Sequence, residues 1–136
     1  MIQLKKQVCS LDLSKKLVEL GVKAEPLFWH VINIDLITPH DIIQKWQHSN
    51  FNECEEKYPA YTVAELGMML PQYYESHKAG VGKTDSNTWY CGNLDFYDGQ
   101  YLAIEKTEAN ARAKMLIELI QNDDCSIESL NSILVE

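Results

Sequence analysis

The chain has 136 residues, 46% of them apolar and 24% charged, which fits one folded domain with an ordinary core and excludes a disordered or low-complexity chain. Its net charge of −8 is uneven: residues 1–60 carry seven basic and eight acidic side chains, residues 61–136 five and twelve. A phosphate-backbone partner is therefore not expected, and the acidic half suits either solubility or a basic protein partner.

The stretch at the N-terminus lacks the apolar run of a signal peptide, and nothing approaches the roughly 18 apolar residues of a membrane span. Cysteines at positions 9, 54, 91 and 125 form no close pair. Together these features predict a cytosolic protein with reduced thiols and no membrane partner.

Ser10 is a fit N-cap for a first helix in which Leu13, Leu17 and Leu20 share a face, and Gly21 followed by Val22 is the pattern of a Schellman stop. After Pro26, Leu27-Phe28-Trp29-His30-Val31-Ile32 is aromatic, β-branched and too short for a helix. It predicts a buried strand, with Asn33 as a turn and residues 34–37 returning.

Thr38-Pro39-His40-Asp41 has the order of a helix start, with Ile37 and Ile42 as a hydrophobic staple, and predicts a short helix through Ile43 and Trp46. Residues 48–60 have no period and read as a surface loop. Thr62-Val63-Ala64-Glu65 is a capping box flanked by Tyr61 and Leu66, opening a helix that must end near Leu70 because Pro71 follows. Residues 75–87, polar and glycine-bearing, read as a second loop.

Residues 88–120 are the most legible piece. Thr88-Trp89-Tyr90-Cys91 forms one arm of a hairpin that turns at Asp98-Gly99 into Tyr101-Leu102-Ala103-Ile104, and Thr107 opens a helix with an Ala109, Ala113, Leu116, Ile120 stripe. Ser126 caps a last helix carrying Ile127, Leu130 and Leu134. The expected fold is one α+β domain over residues 1–136, an antiparallel sheet of about four strands with three to five helices packed on it.

Chemical motifs are scarce. Gly80-Val81-Gly82-Lys83-Thr84 resembles the tail of a phosphate-binding loop but has His77 where the first glycine belongs, and no helix start follows. The four histidines and four cysteines show no ligand-pair spacing for zinc, and Glu53, Glu55 and Glu56 lack the alternation and central glycine of a calcium loop, so no cofactor or metal is expected. A nucleophilic Cys91 with His30 as a neighbour across the sheet is conceivable on paper, but alternation puts Cys91 on the face of Trp89, which favours burial. The aromatics Trp29, Trp89, Tyr90, Phe96, Tyr97 and Tyr101 crowd the predicted strands, and one of Trp89 and Tyr90 must face away from the core unless helices cover both faces. Trp89, Tyr90, Tyr97, Tyr101 and His30 are accordingly the candidate ligand-binding residues.

The segments CSLDLSKKLVELGVK (9–23), LFW (27–29), YTVAELGMMLP (61–71) and EANARAKMLI (108–117) resemble those of a group of small bacterial and phage-carried proteins without an assigned activity. Residues 39–57 look like an insertion by comparison. The resemblance implies a shared fold and a small accessory protein acting on a host component, and it supplies no catalytic residues. The leading expectation is a non-enzymatic, cytosolic interaction module that meets a protein partner through its acidic half or the exposed sheet face. The alternative is a small-molecule or nucleotide-binding protein with an aromatic pocket, and a Cys91-dependent enzyme comes third.

Overall fold

The computed structural model describes residues 4–32, 40–44, 56–70, 73–74, 77–84, 87–93, 102–122 and 126–133. In chain order the elements are α1 (Leu4–Gln7), α2 (Leu11–Glu19), β1 (Trp29–Ile32), β2 (His40–Ile43), β3 (Glu56–Pro59), α3 (Val63–Met69), β4 (Tyr73–Tyr74), β5 (His77–Lys83), β6 (Trp89–Asn93), β7 (Leu102–Glu105), α4 (Glu108–Gln121) and α5 (Ile127–Ile133). The class is α+β, as expected. Among the described residues, however, the strands form two antiparallel sheets rather than the one expected, ordered β2-β1-β3 and β4-β5-β6-β7.

Helix ends follow the local signals closely. Ser10 Oγ accepts from Leu13 N, and α2 closes with Gly21 N on Val18 O and Val22 N on Leu17 O, both at 3.0 Å, with Gly21 at φ 101°. That is the paired bonding of a Schellman motif, and only glycine takes this φ without strain. The Thr62–Glu65 capping box is fully formed, and Tyr61 and Leu66 are both buried in the same cluster. Thr107 caps α4 by accepting from Asn110 N, and Ser126 Oγ accepts from Ser129 N ahead of α5. The short helix α1 has no sequence signal of its own.

Three stretches depart from expectation, all toward strand. His40–Ile43, read as a helix start, is β2, which pairs with β1 in the register Trp29↔Ile43 to Ile32↔His40. Glu56–Pro59, read as loop, is β3 on the other side of β1, and Ala60 N extends the pairing to Phe28 O at 2.9 Å. Pro59 ends an edge strand, where a missing N–H costs no ladder bond. Residues 77–83, also read as loop, are β5, paired with β6 from Ala79↔Asn93 to Lys83↔Trp89. In each case long-range pairing outweighs local propensity.

The β6–β7 hairpin forms with Trp89 opposite Glu105 and Cys91 opposite Ala103. The predicted turns at Asn33 and Asp98-Gly99, the return strand over 34–37, and Trp46, Phe96 and Leu134 lie outside the described residues.

Helix α4 organises the interior. Ala109, Ala113, Leu116, Ile117 and Ile120 join Leu17, Val22, Tyr61, Leu66, Met69 and Leu130 in a cluster built by the other helices. Its opposite side, Ala111, Met115 and Leu119, packs on Cys91 and Ala103 of the β4–β7 sheet. A helix apolar on two faces belongs inside, between layers.

The three-stranded sheet meets the helices through polar contacts. Ser14 of α2 donates to the Pro59 carbonyl, and His30 Nε2 donates to the Cys9 carbonyl at 2.7 Å.

Candidate functional site

Among the described residues, the expected site residues His30, Trp89 and Tyr90 do not come together. His30 is buried in the β2-β1-β3 sheet, whereas Cys91 lies in the other sheet among Ala103, Ala111, Met115 and Leu119, so the two are not neighbours across one sheet. Trp89 and Tyr90 occupy opposite faces of β6. Trp89 packs at the margin of the inner cluster, and Tyr90 lies on the outer face across Gly82, with Ile104 49% exposed opposite it. Tyr97 and Tyr101 fall outside the described residues.

Trp89 does line a cleft. At the end of the second sheet, where β5 passes to β6 and β7 to α4, a cleft of about 430 Å³ is bounded by Lys6, Gln7, Val63, Lys83, Asn87, Trp89, Lys106, Thr107 and Glu108. Local structure explains how these come to face one another. The β5–β6 connection is closed by Thr84 N on Thr88 O at 2.8 Å and by the two threonine hydroxyls at 2.6 Å, with Asn87 in the left-handed region at φ 67°. Asparagine tolerates that conformation better than most residues. The closure brings Lys83 opposite Trp89, with Nζ 5.9 Å from the indole centroid in a cation–π arrangement.

Helix α1 contributes Lys6 and Gln7, and the bridge between Val8 and Thr62 fixes the strand-like segment that follows it. Lys106 and Thr107 bring in the N-terminus of the longest helix, whose aligned peptide dipoles place partial positive charge there.

Electrostatically the cleft opposes the rest of the molecule. It gathers three lysines in a chain of net charge −8. Among the described residues its one lining carboxylate, Glu108, is engaged by Arg112 through Nε at 2.9 Å and Nη2 at 2.7 Å, which offsets its charge. Among the described residues, neither Lys6, Lys83 nor Lys106 takes part in an ion pair. Such a surface suits an anion, held by ammonium groups and the helix terminus.

The buried ionisable groups lie elsewhere and serve the fold. Burial pushes the Cys9 thiol up to about 12 and raises the Tyr61 phenol as well, and the Tyr61 hydroxyl donates to the Ala24 carbonyl at 2.6 Å. Glu65 accepts from Leu27 N at 3.0 Å while its other oxygen accepts from Thr62 N at 2.9 Å, tying the α3 cap to the approach of β1. Among the described residues no group of three His, Cys, Asp or Glu side chains gathers in a way that would hold a metal ion. No described helix is long and apolar enough to cross a membrane.

The three lysines escape sequence reasoning because positions 6, 83 and 106 come from three separate stretches. The one signal for Lys83 was the Gly-Val-Gly-Lys-Thr run. Its rejection as a phosphate-binding loop accords with β5 being a strand that runs into a hairpin, not into a helix. No protein-family model, no curated protein and no solved structure matches the chain. The functional reading therefore rests on this geometry.

Proposed function

We propose that the protein is a non-enzymatic binding protein that holds a small anionic molecule, bearing phosphate or several carboxylates, in the lysine-lined cleft. The observation that carries this reading is the meeting of Lys6, Lys83 and Lys106 at the N-terminus of α4 in an otherwise acidic chain. A cytosolic setting accords with Cys9 and Cys91, both buried and free of disulfides.

A thermal-shift series with inorganic phosphate, ribose 5-phosphate and citrate tests it. A ligand at 100 times its Kd adds about 2.7 kcal/mol, a shift of several degrees. The shift should shrink as salt rises and should vanish in the Lys6→Gln, Lys83→Gln, Lys106→Gln triple variant. A wild-type protein indifferent to all three anions would overturn the reading.

A second reading, a protein partner on the outer face of the β4–β7 sheet, is favoured by Ile104, 49% exposed on the side of Tyr90. Ile104→Lys separates the two readings, because it disturbs that face and leaves an anion-induced shift at the cleft intact.

A further inference from the structure

We infer that the cleft takes a hydroxyl-bearing phosphate ester, a small polyol phosphate whose hydroxyls donate to Glu108 while its phosphate sits among the lysines. This rests on the anionic reading of the cleft and adds a second subsite to it.

A carboxylate on the wall of an anion site would ordinarily repel the ligand, and the bonding of Glu108 removes that objection. Arg112 Nε and Nη2 both reach one oxygen, Oε2, and among the described residues Oε1 makes no bond. The guanidinium is itself seated. Its third nitrogen, Nη1, lies so close over Gly67 of α3 that a methyl group there would come within 2.6 Å of it. Glu108 is thus held in place with its charge offset, while Oε1 keeps the lone pairs of a strong acceptor. A carboxylate has no proton to give, so its partner on a ligand must be a donor.

The frame around this acceptor is fixed. Thr107 Oγ1 accepts from Asn110 N at 3.2 Å, and Asn110 Oδ1 accepts from Ser10 N at 2.8 Å, which ties the first turn of α4 to the segment between α1 and α2. Lys106 and Glu108 stand two positions apart on the same wall, so a phosphate at the one and a hydroxyl at the other belong to one small molecule. The cleft, at about 430 Å³, falls inside the roughly 300–1,000 Å³ of small-molecule sites and has room for the carbon chain between them.

Calorimetric titration of the full chain with glycerol 3-phosphate, propyl phosphate and glycerol tests the inference. The first two share a three-carbon chain and a phosphate, and differ only in the hydroxyls. Glycerol 3-phosphate should bind about tenfold more tightly than propyl phosphate, equivalent to about 1.4 kcal/mol. Glu108→Gln, which keeps a neutral acceptor, should retain part of that ratio. Glu108→Ala, checked for folding by circular dichroism, should bring the ratio to about one and leave propyl phosphate bound at least as tightly as by the wild type. A merely damaged cleft would weaken both ligands.

Equal binding of the two phosphates by the wild type, or a ratio unchanged in both Glu108 variants, overturns the hydroxyl subsite and leaves the anion site standing. Glycerol binding as tightly as glycerol 3-phosphate, or no binding of either phosphate, overturns both. The wild-type ratio and the isosteric glutamine variant decide the matter even if the alanine variant fails to fold.

Discussion

Gly82 has no room for a side chain because the ring of Tyr90, its partner on β6, lies across it. A methyl group there would sit 2.6 Å from the Tyr90 hydroxyl oxygen and 2.7 Å from the ring carbon that bears it. The glycine costs strand stability, and the aromatic ring covering its backbone offsets that cost. Gly82→Ala should therefore destabilise by about 1–2 kcal/mol, the ring being displaced, despite the better intrinsic strand propensity of alanine. In the Gly82→Ala, Tyr90→Ala double variant most of the added penalty should disappear, and urea unfolding of the four-membered cycle reads that coupling. Additive losses would mean that the ring leaves the glycine without strain. The same pair shows why this stretch misleads a reader of sequence. Two glycines and a lysine look like a loop until the neighbouring strand supplies the cover.

At the level of elements, what was legible was local and what was missed was not. The caps at Ser10, Thr62, Thr107 and Ser126 work through atoms within three residues of themselves, so the sequence around each is sufficient. Strands β2, β3 and β5 owe their state to partners 6 to 30 residues away, and the Thr-Pro-His-Asp signal before β2 is outweighed by pairing with β1. Half of the α4 pattern is legible in sequence: Ala109, Ala113, Leu116 and Ile120 make the helical stripe, while Ala111, Met115 and Leu119 form a second face that only a sheet on the other side explains.

Helix α5 illustrates a bond no pattern would reveal. The Asn131 side chain accepts from Lys23 N at 2.6 Å through Oδ1 and donates to Gly21 O at 3.1 Å through Nδ2, clasping the turn that ends α2. With Leu130 buried beside it, this clasp docks the helix. Asn131→Ala should cost about 1–2 kcal/mol. Hydrogen exchange should speed up in α5 while β6 stays protected. Unchanged exchange in α5 would show that Leu130 and Ile127 hold the helix unaided.

For the whole molecule, the buried thiol and phenol set an alkaline limit. Cys9, ordinarily near 9.0, is pushed up to about 12 first by burial, and Tyr61 is raised for the same leading reason. Each group holds its proton more tightly folded than unfolded. Stability is thus fully present below the unfolded pKa and falls as pH rises toward the folded one. Unfolding midpoints in urea should be level from neutral pH to about 9 and then decline through the window to about 12, with Cys9 contributing on the order of 4 kcal/mol by its upper end. Cys9→Ala, although less stable at pH 7, should show a shallower decline, and an identical slope would assign the loss to other groups. The candidate site belongs to this scale too. Aromatic candidates were visible in the sequence, and Trp89 is among the lining residues, but a cationic cleft built from residues a hundred positions apart is a property of the assembled chain.

The two-faced burial of α4 has a bearing on how the chain comes apart. With one flank against the helices and the other against the β4–β7 sheet, α4 is the common wall of both apolar clusters. Peeling either layer away uncovers a ready-made sticky stripe, Leu116 with Ile120 on one flank or Met115 with Leu119 on the other. Partial opening is accordingly the aggregation-prone event for this protein. Its colloidal behaviour under stress depends on keeping a single 14-residue helix covered from two directions at once.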